Sequence, residues 1–295
     1  MHHLCEITIL CIRAAVDVPQ CFDRLTVSGS VRGVAQLGNE IFVSSDSSAS
    51  IAVFCFRGRQ NFERRRDVSF HQLTTPPRDI AVSAEFQQQL FVADPGGQCV
   101  WELEKSWGDW TPEDQAVVSK VEPVSLSVNG GRLLVVEKRR LTVFDVSKKQ
   151  LKPTTMLPKN WQAEHAVETS CKTFVVCGRA AEKPSVMEVN RRGAVVRVCD
   201  PQNLGLPCYL SAFSNDEADW LVVDSETQRI ILLNCELEVV RVFLDEDHDD
   251  VSQPRRIVKS GYFLVGHATS SDDRLGAVSL YSPQMSTLQP LPESP

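Results

Sequence analysis

The stretch Gln89-Leu-Phe-Val-Ala-Asp94 is a short apolar run closed by a carboxylate, and the chain repeats it. The copies are Glu40-Ile-Phe-Val-Ser-Ser-Asp46, Arg132-Leu-Leu-Val-Val-Glu137, Thr173-Phe-Val-Val-Cys-Gly178, Trp220-Leu-Val-Val-Asp224 and Tyr262-Phe-Leu-Val-Gly266. Aligned on Val43, Val92, Val135, Val176, Val222 and Leu264, they are 49, 43, 41, 46 and 42 residues apart. Six copies of about 44 residues match the size of a four-stranded propeller blade.

Each copy carries the same internal order. A short run precedes the anchor, as in Asp79-Ile-Ala-Val82, Val124-Ser-Leu-Ser-Val128 and Tyr209-Leu-Ser-Ala-Phe213. A turn follows, as in Asn129-Gly130-Gly131 or Ser214-Asn215-Asp216, with residues that tolerate positive φ. Beyond the anchor and a polar loop comes a third run, such as Leu141-Thr-Val-Phe144 or Ile230-Ile-Leu-Leu233. Several runs alternate apolar and polar residues, the period-2 mark of a strand. The one helical signal is Trp110 to Lys120, whose Thr111-Pro112-Glu113-Asp114 start predicts a capped turn inserted in the second blade. The expected fold is therefore all-β, a six-bladed β-propeller of four-stranded antiparallel blades, with Val92, Val135 and Val222 buried between sheets.

The predicted domain spans residues 24–288, with blades starting near 32, 77, 123, 164, 208 and 254. Residues 1–23 precede it as an extension and 289–295 follow as a tail. Two segments can close the ring: Leu25-Thr-Val-Ser28 added to the last blade, or Met285 to Leu288. The sequence leaves both open.

Bulk properties exclude several function classes. The 295 residues are 42% hydrophobic and 23% charged, enough to build a core. A net charge of −7 disfavours non-specific attraction to nucleic acid or anionic membrane. No run approaches the roughly 20 apolar residues that span a bilayer. The N-terminus lacks a basic start and a long apolar stretch, so no secretory signal is expected. Ten cysteines without a C-x-x-C pair, and no N-x-[ST] site, fit reduced thiols in a cytoplasmic protein.

The blades resemble NHL repeats. The resemblance rests on an inner strand opened by Pro and a basic or polar residue, as in Pro77-Arg-Asp-Ile-Ala-Val82 and Pro254-Arg-Arg-Ile-Val258. It rests also on the anchor ending in V-x-D and on Val222-Val-Asp-Ser-Glu-Thr-Gln-Arg-Ile-Ile231, and it covers about residues 32 to 282. Glu137 and Gly178 stand where the pattern has Asp in blades three and four. The resemblance implies a binding module for protein or RNA, and association with ubiquitin-ligase complexes. Nothing in the sequence has the Cys/His spacing of a zinc domain or a heptad segment, so no ligase activity of its own is expected.

Candidate site residues fall into two groups. Asp94 and Asp224 end the second strands of their blades and are placed either to touch a ligand or to close their own loops as Asx turns do. Lys138, Arg139 and Arg140 lie in the loop between the second and third strands of blade three. Arg179 and Lys183 lie in the same loop of blade four, so the five are expected on one face. A basic patch is what a phosphate backbone seeks, but these loops carry no aromatic platform. Arg64-Arg-Arg66, Lys148-Lys149 and Arg191-Arg192 should lie toward the opposite face or the outer edge. Asp245-Glu-Asp-His-Asp-Asp250 lacks the Gly and Glu of a calcium loop, holding Asp250 and Arg256 there.

A calcium-dependent lactonase or esterase propeller needs carboxylates and amides converging on the channel. The inner strands offer only Asp79 and Glu168, and neither a G-x-S-x-G elbow nor a P-loop is present. The expectation is a non-catalytic platform for a protein or peptide partner, engaged by loops on one face, with no cofactor and no metal. An RNA-binding propeller and a calcium-dependent hydrolase remain the alternatives.

Overall fold

The computed structural model describes residues 20–56, 62–83, 88–181, 183–199, 204–213, 219–245, 253–259, 262–268 and 275–282. Among them there are strands and turns but no helix. Six antiparallel sheets form six blades. Their inner strands, in order, are Val31–Leu37, Asp79–Ser83, Ser125–Asn129, Trp161–Glu168, Pro207–Ala212 and Pro254–Lys259. Each pairs with the anchor run that the repeat had marked, so Ile80 faces Val92, Leu126 faces Val135 and Leu210 faces Val222.

The core is divided in the way this architecture demands. Side chains alternate across a strand, so a blade buries one face against the preceding blade and one against the next. Six apolar clusters result, one at each blade-to-blade boundary. In blade three, Val135 packs toward Phe91 and Val100 of blade two. Its neighbours Leu134 and Val136 pack toward Phe174 and Val176 of blade four. Val92, Val135 and Val222 are all fully buried. This two-sided burial explains why the anchors read as nearly continuous apolar runs rather than clean alternation.

The ring closes with the N-terminal segment. Gln20–Ser28 pairs antiparallel with Leu275–Ser282, the third strand of blade six, with Leu25 opposite Val278 and Val27 opposite Gly276. The closing strand starts at Gln20, earlier than the boundary at residue 24. Met285 to Leu288 and the tail at 289–295 lie outside the described residues, as do residues 1–19, Ser214-Asn215-Asp216 and most of the acidic run after Asp245.

The helical turn expected from Trp110 is absent. Asp109–Pro112 is a strand paired with the third strand of blade two, and Val118–Ser119 pairs with the same strand nearer its start. Trp110 wins a place in the core against Phe42 of blade one, ring to ring at 5.3 Å, and tertiary packing overrides the local capping signal. The tight turn Trp107-Gly108, both at positive φ, projects Trp107 fully into solvent.

Candidate functional site

The six inner strands line the channel, and their register sorts its walls into layers. Take one residue per blade, each paired with the anchor or its equivalent. Val34, Ile80, Leu126, Ala166, Leu210 and Ile257 form an apolar layer, and each is buried. One residue earlier in each strand gives Gly33, Asp79, Ser125, His165, Tyr209 and Arg256, a second buried layer that is almost wholly polar. One step earlier again gives Arg32, Arg78, Val124, Glu164, Cys208 and Arg255. These six line a small recess of about 140 Å3 on the face where the inner strands begin.

A repeated backbone irregularity builds that outermost ring. The pairing skips one residue between Val31 and Gly33, Ala163 and His165, Pro207 and Tyr209, and Pro254 and Arg256. The skipped residues are Arg32, Glu164, Cys208 and Arg255. In the other two blades the N–H groups of Arg78 and Val124 donate to Ala93 and Val136, the very residues that pair with Asp79 and Ser125. An extra residue in one strand bends it and re-aims its side chain. Repeated around the ring, it turns six side chains toward the channel mouth.

Beneath the mouth, charge is buried and shared between blades. Arg256 Nε lies 3.6 Å from Asp79 Oδ1. Asp79 accepts hydrogen bonds from the N–H of Ile80 and, across the blade boundary, of Leu126, both at 3.0 Å. The Arg256 guanidinium lies 4.7 Å from the Tyr209 ring centre and donates through Nη1 to the Arg255 carbonyl at 3.0 Å. The Tyr209 and His165 ring centres are 3.7 Å apart. Arg256 Nε itself has no hydrogen-bond partner.

Burial dominates the titration of this layer. It pushes the Asp79 carboxyl above the usual range, with Arg256 and two backbone N–H groups opposing it. It drives His165 well below the ordinary imidazole value, helped by the positive charge of Arg256. It raises the Cys177 and Cys208 thiols, so neither is an activated nucleophile. Arg256 keeps its charge: burial is the largest single influence and works against it, but Asp79 together with Tyr209, Cys208 and Cys177 outweighs it and raises the guanidinium above its usual value.

On the opposite face the channel opens into a wider recess of about 560 Å3, floored by the apolar layer and walled by Val82, Val128, Val167, Ala212 and Val258, with Gln36 and Lys259 at its edge.

Of the residues singled out in the sequence, Asp94 and Asp224 are not placed to touch a ligand. Both are buried. Asp94 accepts from the Thr75 hydroxyl, the Gly97 N–H and the Trp101 indole. Asp224 accepts from the N–H groups of Gly205, Leu206, Glu226 and Thr227. Their lone pairs are spent on their own loops. Lys138, Arg139 and Arg140 lie on the face of the mouth ring but line a groove toward blade two with Lys120 and Glu122. Arg140 is ion-paired with Glu137. Arg179 lines another groove, between blades four and five, with Pro184 and Glu226. Lys183, exposed, pairs with Ala180 at the end of the same hairpin. The five basic residues share a face and do not converge on one pocket.

The two inner-strand carboxylates singled out in the sequence do not converge either. Asp79 is matched by Arg256, and Glu168 by Arg132 at 2.7 Å and Arg191 at 3.2 Å. Sequence reading missed the mouth ring. Its signal was the residue two places before Val34, Ile80 and Ile257, which is Arg in all three.

No family model matches the sequence, and no curated protein matches it. Of solved structures, 1049 chains match. One is Kuenenia stuttgartiensis hydrazine synthase, at 12% identity and a TM-score of 0.57, over 81% of this chain and 80% of that one. At such identity the likeness carries the fold alone. Repeat, sheet topology and structural likeness agree that the chain is a six-bladed β-propeller.

Proposed function

We propose that this chain is an NHL-like propeller serving as a non-catalytic platform for a protein or peptide partner, engaged on the face where the inner strands begin. The observation that carries this reading is the mouth ring. Four blades skip one residue in the pairing and the other two add a backbone hydrogen bond at the same place, so that each blade brings one residue to a single recess, three of them arginines. Such a feature costs regular pairing in four blades, and re-aiming side chains toward a contact is its usual use. Lys138, Arg139, Arg179 and Lys183 lie on the same face outside that recess, where they would steer an acidic partner inward.

The test is a selection with the purified chain against a random displayed-peptide library and, separately, a random single-stranded RNA pool. Enriched peptides whose binding is lost when Lys138 and Arg139 are both changed to Glu support the platform. Enrichment of RNA alone, with a steep salt dependence, moves the assignment to the RNA-binding alternative.

A further inference from the structure

Resting on the platform reading, we propose that the mouth ring is a binding site for a single carboxylate group, presented by an acidic side chain or the C-terminus of a protein partner. The recess has the charge for it. Arg32, Arg78 and Arg255 line it, and the buried Arg256 lies in the layer immediately below. Arg78 and Arg255 have no carboxylate within ion-pair distance among the described residues. Arg32 is tied only to Asp46 on the rim, at 3.4 Å with both side chains more than a third exposed. Arg78 holds its proton less tightly than an ordinary arginine. Burial is the first cause, and the like charges of Arg32 and Arg256 come next. The nearby carboxylates, Glu164 and Asp79, offset that repulsion only in part. An anion entering the recess would relieve it.

A second observation points the same way. Arg256 is more than nine-tenths buried and is among the residues lining the recess, and its Nε, 3.6 Å from Asp79 Oδ1, makes no hydrogen bond. A donor buried in that state is expected to find an acceptor. Planar guanidinium groups suit a carboxylate because they grip it in pairs.

Size and residual charge choose a carboxylate over a phosphate chain. The recess, about 140 Å3, holds the equivalent of roughly four or five waters, enough for a carboxylate with its nearest solvent but not for a nucleotide. Glu164 sits in the ring as a like charge, which a monoanion tolerates better than a dianion. Val124 and Cys208 complete the ring, and among the described residues no aromatic platform for a base lines it.

The test uses the whole chain, 15N-labelled, with the arginine Nε–H signals followed as sodium acetate is added against sodium chloride at equal ionic strength. Two fluorescent peptides follow: one with a single internal Glu and an amidated C-terminus, one without acidic side chains and with a free C-terminus. Saturable acetate shifts at Arg78, Arg255 and Arg256 are expected. Arg78→Gln and Arg255→Gln should each weaken binding by about tenfold or more, the usual loss for one partner of a charge-assisted contact. Lys148→Gln, on the opposite face, should leave it unchanged. Whichever peptide acetate displaces identifies the source of the carboxylate. Acetate shifts no larger than those of chloride overturn the proposal, as does tighter binding of a single-stranded RNA oligomer that acetate does not displace. Acetate saturation without peptide binding would keep the site and count against the platform. Peptide binding untouched by both arginine variants would keep the platform and reject the site.

Discussion

Arg256 of blade six reaches Asp79 of blade two across blade one, whose residue in the same layer is Gly33. The pair closes 3.6 Å apart beneath a recess only about 140 Å3 in size. It ties together sheets that are not neighbours in the ring. Through Leu126 N–H and the Tyr209 ring, its reach extends to blades three and five. A propeller is otherwise held by nearest-neighbour packing alone. This layer adds a cross-channel brace, and it fixes the floor on which the mouth ring stands.

Breaking the brace on one side should be costly and breaking it on both sides much less so. Asp79→Asn leaves Arg256 buried without its counter-charge, a situation that typically costs about 3–5 kcal/mol. Arg256→Met leaves Asp79 with two backbone N–H groups and the option of binding a proton. The double variant Asp79→Asn/Arg256→Met should lose less than the sum of the two single variants, by about 1 kcal/mol or more. Urea unfolding of the four proteins measures this coupling. Strict additivity would mean that the two side chains do not act as a unit.

Gly33 is required for space rather than for backbone freedom. A Cβ there would sit 2.7 Å from the Ile80 backbone nitrogen, in the neighbouring inner strand. Gly33→Ala should destabilise by roughly 1–3 kcal/mol, because a backbone atom cannot rotate away. Gly38 makes the contrast: its Cβ would meet nothing, and only its positive φ resists substitution. Gly38→Ala should cost about 1 kcal/mol. Melting temperatures that fall equally for both variants, or further for Gly38→Ala, would contradict the close approach of blades one and two.

The blades were legible in the sequence and the channel was not, for one physical reason. A residue such as Val135 is chosen by packing, which asks for the same chemistry in every blade, so its equivalents repeat as Val43, Val92, Val176 and Val222. The polar layer asks for complementary chemistry around a ring. Gly33, Asp79, Ser125, His165, Tyr209 and Arg256 share no property that a repeat could display. The extra residue that aims Arg32 or Arg255 is a fact of backbone pairing and changes no local composition. Asp94 and Asp224 repeat and allowed two readings, ligand contact or closure of their own loops, and the structure gives each carboxylate to its own loop. Arg256 drew notice as part of the Pro254-Arg-Arg-Ile-Val258 strand start and as a residue that failed a calcium-loop pattern, not as a channel group.

Ring closure by the N-terminal strand predicts a specific failure. Removing residues 1–28 strips Leu25 and Val27 from the cluster between blades six and one, where both are buried. Each is worth about 1.5–3 kcal/mol, and the edge of Leu275–Ser282 is left unpaired. The truncated chain should melt lower and associate through that edge. Adding a synthetic peptide of residues 20–28 should restore the monomer by size-exclusion chromatography. An unchanged melting temperature after truncation would show that another segment closes the ring.

His165 should make the protein acid-sensitive. Burial, then the charge of Arg256, holds its folded pKa well below 6.5, whereas in the unfolded chain it titrates normally. Below about pH 6.5 the unfolded state therefore binds a proton that the folded state refuses, and stability falls as pH falls, by up to about 1.4 kcal/mol per pH unit. Asp79 acts with the opposite sign. Its folded value is raised, so between its unfolded and folded values the native state holds the extra proton and gains stability as pH drops. The comparison that isolates the imidazole is wild type against His165→Leu, since Asp79, Glu164, Cys177 and Arg256 stay in place in both. Neither ring nitrogen makes a well-formed hydrogen bond, so the variant should be no less stable at pH 7.5. At pH 5 it should exceed wild type by roughly 2 kcal/mol more than at pH 7.5, read from urea midpoints. Parallel pH profiles for the two proteins would mean that His165 takes up its proton in the folded channel, and that the layer beneath the mouth is wetter than its burial implies.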